Sequence, residues 1–157
     1  MTLVDQYREA RRSEDITRLR RVLALRAMTE SGMSQRQAAA ALGVSQPAIS
    51  QQLAAAPRLD DVHPEILLEA AAPILATLAT ERGYARLSVF GSVSRRQARP
   101  ESDIDLIVEA PPGTSTFEFI RFKQLLERVL GRQIDLVDFG GLRAGLDDDI
   151  RHEAVLL

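Results

Sequence analysis

The stretch SVFGSVSRRQARPESDIDLIV, residues 88–108, decides the fold of the C-terminal part of this 157-residue chain. An apolar run ends at Gly91-Ser92, and shortly afterwards two aspartates flank one isoleucine. Alternation along a strand directs Asp103 and Asp105 to one face and the isoleucine toward a core. Two carboxylates about 4 Å apart repel by roughly 4 kcal/mol at an effective dielectric near 20. The pair therefore predicts a bound cation or a shifted pKa.

The loop before the aspartates has the chemistry to bind phosphate. Mg²⁺ usually binds through one or two carboxylates together with substrate phosphates. Gly91 lets a phosphate approach the backbone closely, and the Ser92 hydroxyl and the following N–H groups can donate to it. Arg95, Arg96 and Arg99 follow in the same loop and could neutralise a triphosphate.

A third carboxylate is available in QIDLVD, residues 133–138. On a neighbouring strand, Asp135 could join Asp103 and Asp105 in holding two metal ions, or act as the base for an attacking hydroxyl. Asp138 is the competing candidate, and it would lie on the opposite face of the strand. The simplest alternative for all these acids is a solvated strand end.

The surrounding pattern alternates strands with helices, which implies an α/β or α+β layer of about ninety residues. The segment AAAPRLDDVHP loses the helical periodicity and contains two prolines, so it marks a boundary. The predicted strands are 85–91, 103–110 and 133–139, and the predicted helices of this part are 64–82, 114–131 and 146–154.

Charge also divides the chain. Residues 1–59 carry nine arginines and five acids, whereas residues 60–157 carry eleven basic and seventeen acidic residues. A basic half joined to an acidic half points to a polyanion-binding domain at 1–58 and a different domain at 64–157. With no cysteine, disulfides and thiolate sites are excluded. The absence of a long apolar run or a secretory signal leads us to expect a cytoplasmic protein without a membrane segment.

The N-terminal part predicts a helix at 2–31 and two more after Ser34 and Ser45. In SQRQAAAALGVSQPAISQQLA, Gly43 permits a left-handed turn, and Val44 and Ile49 would fill the wedge between helices. Ala39, a small residue, would allow the helices to cross closely. The run LGVSQPAIS closely resembles the helix-turn-helix of phage repressors.

This resemblance implies that residues 45–54 lie in the DNA major groove, and that the protein binds DNA as a homodimer or larger assembly. The arginines of the first helix would contact phosphates. An ordinary three-helix packing unit is the alternative. The expected DNA-binding residues are Arg36 on the phosphates, Ser45 and Pro47 in the first turn of the recognition helix, and Gln46, Ser50 and Gln51 on the base edges.

The C-terminal motifs, GSVSRRQARPESDIDLIV followed by QIDLVD, resemble those of the polymerase-β-like nucleotidyltransferases, in particular the minimal nucleotidyltransferases. The tail LDDDIRHEAVLL also resembles the end of that family. One departure is that family members often have a glycine where this chain has Arg96-Gln97. The resemblance implies an α+β chain: an all-α helix-turn-helix domain followed by a small α/β nucleotidyltransferase domain with a mixed sheet.

The same resemblance implies transfer of a nucleoside monophosphate from an NTP, with ATP the expected donor, to a hydroxyl. Asp103, Asp105 and Asp135 would be the catalytic and Mg²⁺-binding residues, and Gly91 and Ser92 would hold the triphosphate. Many minimal members are antitoxins of HEPN-type ribonuclease toxins, and some add AMP to the toxin. We therefore expect an autoregulating antitoxin that forms a homodimer or a toxin–antitoxin hetero-oligomer.

Two other functions stay open. The chain could be a DNA-binding transcriptional regulator whose nucleotidyltransferase domain is catalytically silent and binds nucleotide or a toxin partner. A resistance enzyme that modifies small molecules such as aminoglycosides is disfavoured by the small size of the domain.

Overall fold

The computed structural model describes residues 1–143, 145 and 147–157. Within that part of the chain, no helix is both long and apolar enough to cross a membrane. The elements are α1 (Leu3–Glu30), α2 (Gln35–Leu42), α3 (Gln46–Ala54), α4 (Pro64–Glu81), β1 (Ala85–Phe90), α5 (Gly91–Ser94), β2 (Ile104–Glu109), α6 (Thr116–Leu130), β3 (Ile134–Asp138), α7 (Asp148–Glu153) and β4 (Val155–Leu156), with short 3₁₀ turns at Leu59–Asp61 and Phe139–Gly141.

The predicted fold class, α+β with a mixed sheet, is confirmed. Each predicted helix and strand forms within a few residues of its expected bounds. For the last helix, the predicted start at residue 146 lies outside the described residues, and α7 begins at Asp148 after Asp147. Four short elements of the described residues were not predicted: the single turn α5, the two-residue strand β4 and the two 3₁₀ turns.

The sheet has the strand order β3-β2-β1-β4. Strand β1 runs antiparallel to both β2 and β4, whereas β2 and β3 run parallel. Helix α6 makes the crossover between the two parallel strands, as a parallel pair requires. Strand β2 is central and its apolar residues are fully buried, namely Ile104, Leu106, Ile107 and Val108.

The C-terminal half of α1 packs into the core of the sheet domain. Its residues Ile16, Leu19, Leu23 and Ala27 belong to the same buried cluster as the apolar residues of α4, α6 and the sheet. The N-terminal half is different, because residues 1–15 are all exposed. A capping box between Thr2 and Asp5 satisfies the free backbone groups at that end of the helix.

Helices α2 and α3 form a smaller cluster of their own, in which Ala39 and Ile49 pack against Leu25 of α1. Gly43 ends α2 in the left-handed conformation, with φ of +69°. The prediction that Val44 fills the wedge between the helices is wrong, since its side chain is 42% exposed. The turn uses the Val44 backbone instead, because its N–H donates to the Ala39 carbonyl over 3.0 Å.

Three arginines of the first helix make contacts within the protein, and the expectation that arginines of this helix contact DNA phosphates stays a prediction. Arg12 pairs with Glu69 of α4. Arg20 donates to the Ala70 carbonyl over 2.9 Å, and Arg26 donates to the Val129 carbonyl over 3.0 Å. These guanidinium groups face α4 and α6, so they attach α1 to the sheet domain.

The division into domains at 1–58 and 64–157 stays a prediction. Helix α1 contributes Leu25 to the small cluster with α2 and α3, and Leu23 to the core of the sheet domain. The two parts therefore share one helix across the predicted boundary.

Candidate active site

The strand register brings the predicted catalytic residues to one edge of the sheet. Asp105 lies opposite Phe90 of β1 on one side and opposite Asp135 of β3 on the other. Since Phe90 is the last residue of β1, the Gly91 turn begins at the same level. Asp103 stands directly before β2, where its side chain is exposed. The three aspartates and the Gly91 turn thus converge on one edge.

Gly91 is in direct contact with Asp105. Its φ is +74°, and a Cβ atom built on it would lie 2.1 Å from Asp105 Oδ2. Real atoms do not approach so closely, so any side chain at residue 91 would displace the Asp105 carboxylate. Glycine is required here both for its backbone conformation and for its lack of a side chain.

The Asp105 carboxyl group is in an unfavourable environment for a negative charge. Its pKa is raised to about 6, first by burial, then by the neighbouring carboxyl group of Asp135 and by the charge of Asp103, while Arg95 acts in the opposite direction. Asp103 and Asp135 themselves are exposed. A cation at this edge would relieve the repulsion among the three groups.

The described residues contain no group of three or more His, Asp or Glu side chains already arranged to hold a metal ion. The donor set nevertheless fits a hard divalent cation. Its atoms are carboxylate oxygens, which Mg²⁺ prefers. The pKa of Asp105 is raised first by burial and then by the neighbouring carboxyl groups, and a bound cation would oppose both effects by stabilising the charged form. Asp103, Asp105 and Asp135 are therefore the residues that could bind Mg²⁺.

The loop after Gly91 adopts a left-handed conformation at the point where the sequence departs from the family pattern. Arg96 has a φ of +56°, in the region that glycine favours. The departure at Arg96-Gln97 thus changes the side chain at this position while the backbone keeps a conformation that glycine would adopt. The cost of this conformation for a residue with a Cβ is about 1–2 kcal/mol.

The two arginines Arg95 and Arg96 of this loop face different parts of the protein. Arg95 lies near Asp105, and its charge lowers the pKa of that carboxyl group, against the larger raising effect of burial. Arg96 lies on the side of α4, where its charge adds to the stronger effect of Arg12 in lowering the pKa of Glu69. Ser92 is half-buried beside Gly91. Gly91, Ser92 and Arg95 are thus together, and Arg96 is directed elsewhere.

Glu153 is a site residue that sequence reasoning missed. Its Oε2 accepts from the Gly91 N–H over 2.9 Å, and its Oε1 pairs with Arg95. Arg95 and the Gly91 N–H hold the pKa of this carboxyl group below its ordinary value. The signal that could have found it is the tail motif, in which Glu153 follows the acidic start of α7.

The competing aspartate, Asp138, has a different environment. It ends β3, and its Oδ1 accepts from the Gly140 N–H over 3.1 Å and from the Ala110 N–H over 3.4 Å. In the register it lies opposite Val108, three residues along β3 from Asp135. Asp138 therefore caps a turn at the far end of the strand.

Arg132 fixes the segment that leads into Asp103. Its guanidinium donates to the carbonyl oxygens of Pro100 and Val62 over 2.8 Å each, and to that of Ser102 over 3.2 Å. Val62 lies in the connection between α3 and α4. Arg132 therefore joins this connection to the loop directly before Asp103.

The predicted DNA-binding residues divide into exposed side chains and residues that shape the helix. Arg36, Gln46, Ser50 and Gln51 are exposed, and Gln46 donates to Gln35 over 2.7 Å. The Ser45 hydroxyl accepts from the Ala48 N–H over 3.2 Å, so it caps α3. Pro47 lies in the first turn of that helix, as predicted.

Comparison with known proteins identifies the class that this fold and site define. The family model described as the nucleotidyltransferase domain matches residues 73–157. This match covers more than half of the chain, and the chain therefore belongs to the nucleotidyltransferase family.

Individual relatives point the same way. A protein of Methanocaldococcus jannaschii, provisionally named protein adenylyltransferase MJ0435, is 39% identical over 75 residues, which are 48% of this chain and 81% of that protein. Protein adenylyltransferase MntA of Thermococcus cleftensis is 34% identical over 73 residues, 46% of this chain and 74% of the relative. A solved structure described as a minimal nucleotidyltransferase superposes with a TM-score of 0.54 at 35% identity, covering 59% of this chain and 95% of that one.

Proposed function

We propose that this protein transfers AMP from ATP to a hydroxyl of a partner protein, and that the partner is a HEPN-type ribonuclease toxin which the transfer silences. The observation that carries the proposal is the convergence of Asp103, Asp105 and Asp135 beside Gly91 at one sheet edge. A protein acceptor is favoured because both named relatives are called protein adenylyltransferases.

In this proposal each residue has a defined task. Asp103 and Asp105 hold Mg²⁺, with Asp135 completing the set, and bound Mg²⁺ supplies neutralising charge to the phosphate oxygens. The Gly91 N–H, the Ser92 hydroxyl and the Arg95 guanidinium bind the triphosphate. Asp135, which is exposed, takes the proton of the attacking hydroxyl. The hydroxyl oxygen bonds to the α-phosphorus as the bond to the β-phosphate oxygen breaks, and pyrophosphate leaves.

Label transfer tests this function. The full-length protein is incubated with α-labelled ATP, Mg²⁺ and the protein encoded by its neighbouring gene. We expect the neighbour to become labelled, and we expect Asp103→Ala and Asp105→Ala to abolish the labelling. Glu101→Ala is the matched control, because Glu101 is an exposed acid just before Asp103. Absence of transfer by the wild type, or equal transfer by the aspartate variants, would exclude the enzymatic role.

The choice between Asp135 and Asp138 has its own test. Asp135→Asn should abolish transfer because an amide cannot accept the proton. Asp138→Asn should retain it, since an amide oxygen can still accept from the Gly140 and Ala110 N–H groups. The reverse pattern would assign the third carboxylate to Asp138.

We further propose that α2 and α3 bind the operator of the protein's own operon as part of a homodimer or a toxin–antitoxin hetero-oligomer. The exposed Gln46, Ser50 and Gln51 on α3 support this, together with Arg36 nearby on α2.

A mobility-shift assay with the upstream DNA tests this binding. Gln51→Ala should lower the free energy of binding by about 1–3 kcal/mol at the base pair that Gln51 contacts. Arg36→Ala should lower the salt slope by about 1. Gln52→Ala is the control, since Gln52 lines the groove toward α1; unchanged binding by the Gln51 and Arg36 variants would reject the proposal.

A second function, a nucleotide-responsive regulator without turnover, is supported by a different observation. The connection between α3 and α4 is bonded to the loop from Gly91 to Ser102, here called the phosphate loop. Arg132 makes one link, and His63 makes another, since its Nε2 lies 3.1 Å from the Ala98 carbonyl oxygen. In this case DNA affinity changes with ATP and Mg²⁺ although no label is transferred. A mobility shift that is unaffected by ATP and Mg²⁺ would remove this alternative.

A further inference from the structure

Glu153 is not among the groups that the proposed reaction uses, yet it contacts two of them. Its carboxylate accepts from the Gly91 N–H through Oε2 and pairs with Arg95 through Oε1. The Glu153 side chain is only 25% exposed. The Glu153 carboxylate is therefore held in place against the first residues of the phosphate loop.

The end of the chain sets this position. Strand β4 follows Glu153 almost at once and pairs antiparallel with β1, with Val155 opposite Val89 and Leu156 opposite Ser88. The Leu157 N–H adds a bond to the Leu87 carbonyl over 3.0 Å. Since β1 leads directly into Gly91, this pairing delivers Glu153 to the Gly91 N–H.

A carboxylate and a phosphate make the same demands on these groups. Both present anionic oxygens that accept from a backbone N–H and pair with a guanidinium. One N–H cannot serve both at full strength, and the two anions would repel each other across Arg95. A nucleotide phosphate that binds at Gly91 and Arg95 must therefore displace Glu153.

We propose that Glu153 is an internal competitor of the nucleotide phosphate: it occupies the phosphate position at Gly91 and Arg95 in the free protein and lowers the affinity for NTP. The inference rests on the proposed function of Gly91 and Arg95 as phosphate-binding groups. It adds a regulatory contact between the nucleotide site and the C-terminal strand. Displacement of Glu153 would strain the pairing of β4 with β1, which involves only two residues of β4.

Binding of α,β-methylene ATP with Mg²⁺ to the full chain tests the proposal without turnover. We expect Glu153→Gln to bind this analogue roughly tenfold more tightly than the wild type, because it loses the charged contact to Arg95 and weakens the one to Gly91. Glu153→Asp keeps the charge on a shorter side chain and should lie between the two. Glu101→Gln, which removes an acid from the same loop, is the control for net charge. Thermal unfolding of each variant confirms that it is folded.

The opposite result would assign Glu153 a different role. If Glu153 merely positions the loop for the nucleotide, Glu153→Gln binds the analogue more weakly, and equal binding means that it does neither. The Gly91 amide resonance gives a second readout. It should shift in Glu153→Gln, and it should also shift in the wild type when the nucleotide replaces the Glu153 carboxylate as the acceptor of this N–H.

The outcomes separate this inference from the proposed function. Label transfer by a wild type whose Glu153→Gln variant binds no more tightly overturns the competitor alone. Tighter binding by the variant without label transfer keeps the competitor and rejects catalysis. Failure of both proteins to bind the analogue removes the nucleotide site and the competitor together.

Discussion

At the scale of single residues, the contact between Gly91 and Asp105 sets the strictest requirement. A methyl group on residue 91 would meet the Asp105 carboxylate at 2.1 Å, and the φ of +74° adds backbone strain. We expect Gly91→Ala to lower the free energy of unfolding by about 2 kcal/mol or more and to abolish nucleotide binding. Thermal and urea unfolding, with a nucleotide titration, measure both effects.

Gly113→Ala is the matched control for this substitution. Gly113 has a comparable φ of +83°, but nothing lies within 4 Å of the position of its Cβ. Its substitution should therefore cost only the backbone strain, about 1–2 kcal/mol, and leave nucleotide binding unchanged. Equal losses in the two variants would show that the approach to Asp105 has no special effect.

Asp105 itself predicts a dependence of stability on pH. Its pKa is raised to about 6 in the folded protein from an ordinary value of 3.8. The folded state therefore binds the proton more tightly than the unfolded state, so this group stabilises at low pH and its contribution is lost as pH rises from about 4 through 6. In metal-free protein, Asp105→Asn should therefore melt at a higher temperature than the wild type at pH 7.5, and this difference should be smaller at pH 4.

The measurement compares melting temperatures of the variant and the wild type across this pH range, in the presence of a chelator. Added Mg²⁺ should stabilise the wild type and have little effect on Asp105→Asn. A difference that does not grow between pH 4 and pH 7.5 would contradict the assigned environment of Asp105.

Sequence patterns predicted those residue features that depend on local geometry. The period of two in a strand placed Ile104 in the core, where it is fully buried, and the Gly43 turn formed in the left-handed conformation. The contacts of Glu153 could not be predicted in this way. They depend on the pairing of β4 with β1, which is too short to leave a pattern and joins distant parts of the chain.

At the scale of elements, Arg132 connects two segments through three backbone carbonyls, one at Val62 and two in the loop before Asp103, at Pro100 and Ser102. Its removal leaves these acceptors without their charged donor. We expect Arg132→Met to lower the free energy of unfolding by about 2–4 kcal/mol and to reduce label transfer by misplacing Asp103. Urea unfolding and the transfer assay measure the two effects.

Arg121→Met serves as the control on α6, because the Arg121 guanidinium lies over the ring of the exposed Phe117. It should change stability by less than about 1 kcal/mol. If Arg132→Met changed stability and label transfer as little as this control, the hydrogen bonds of Arg132 to the loop before Asp103 would be dispensable.

The existence and type of the longer helices and strands followed from the sequence, but their packing partners did not. Helical spacing predicted α1, yet nothing in that spacing distinguished an arginine directed at DNA from one directed at α4 or α6. Arg12, Arg20 and Arg26 proved to bind within the protein. Long-range packing decides such contacts, so they appear only in the folded structure.

At the scale of the whole molecule, the core is continuous across the predicted domain boundary. Leu23 of α1 is fully buried in the cluster that includes the sheet, whereas Leu3 at the other end of the helix is 82% exposed. We expect Leu23→Ala to lower the free energy of unfolding by about 2–5 kcal/mol in a single transition. Leu3→Ala is the matched control and should have no measurable effect. Calorimetry that resolved two transitions, with only one affected, would show separate cores.

The packing of α1 also fixes both ends of the segment that contains α2 and α3. Helix α1 precedes this segment and α4 follows it, and both helices belong to one core. A segment attached to a core at both ends is less free to rotate than one attached at a single end. The orientation of α3 relative to the three aspartates is therefore set by the core that holds α1 and α4.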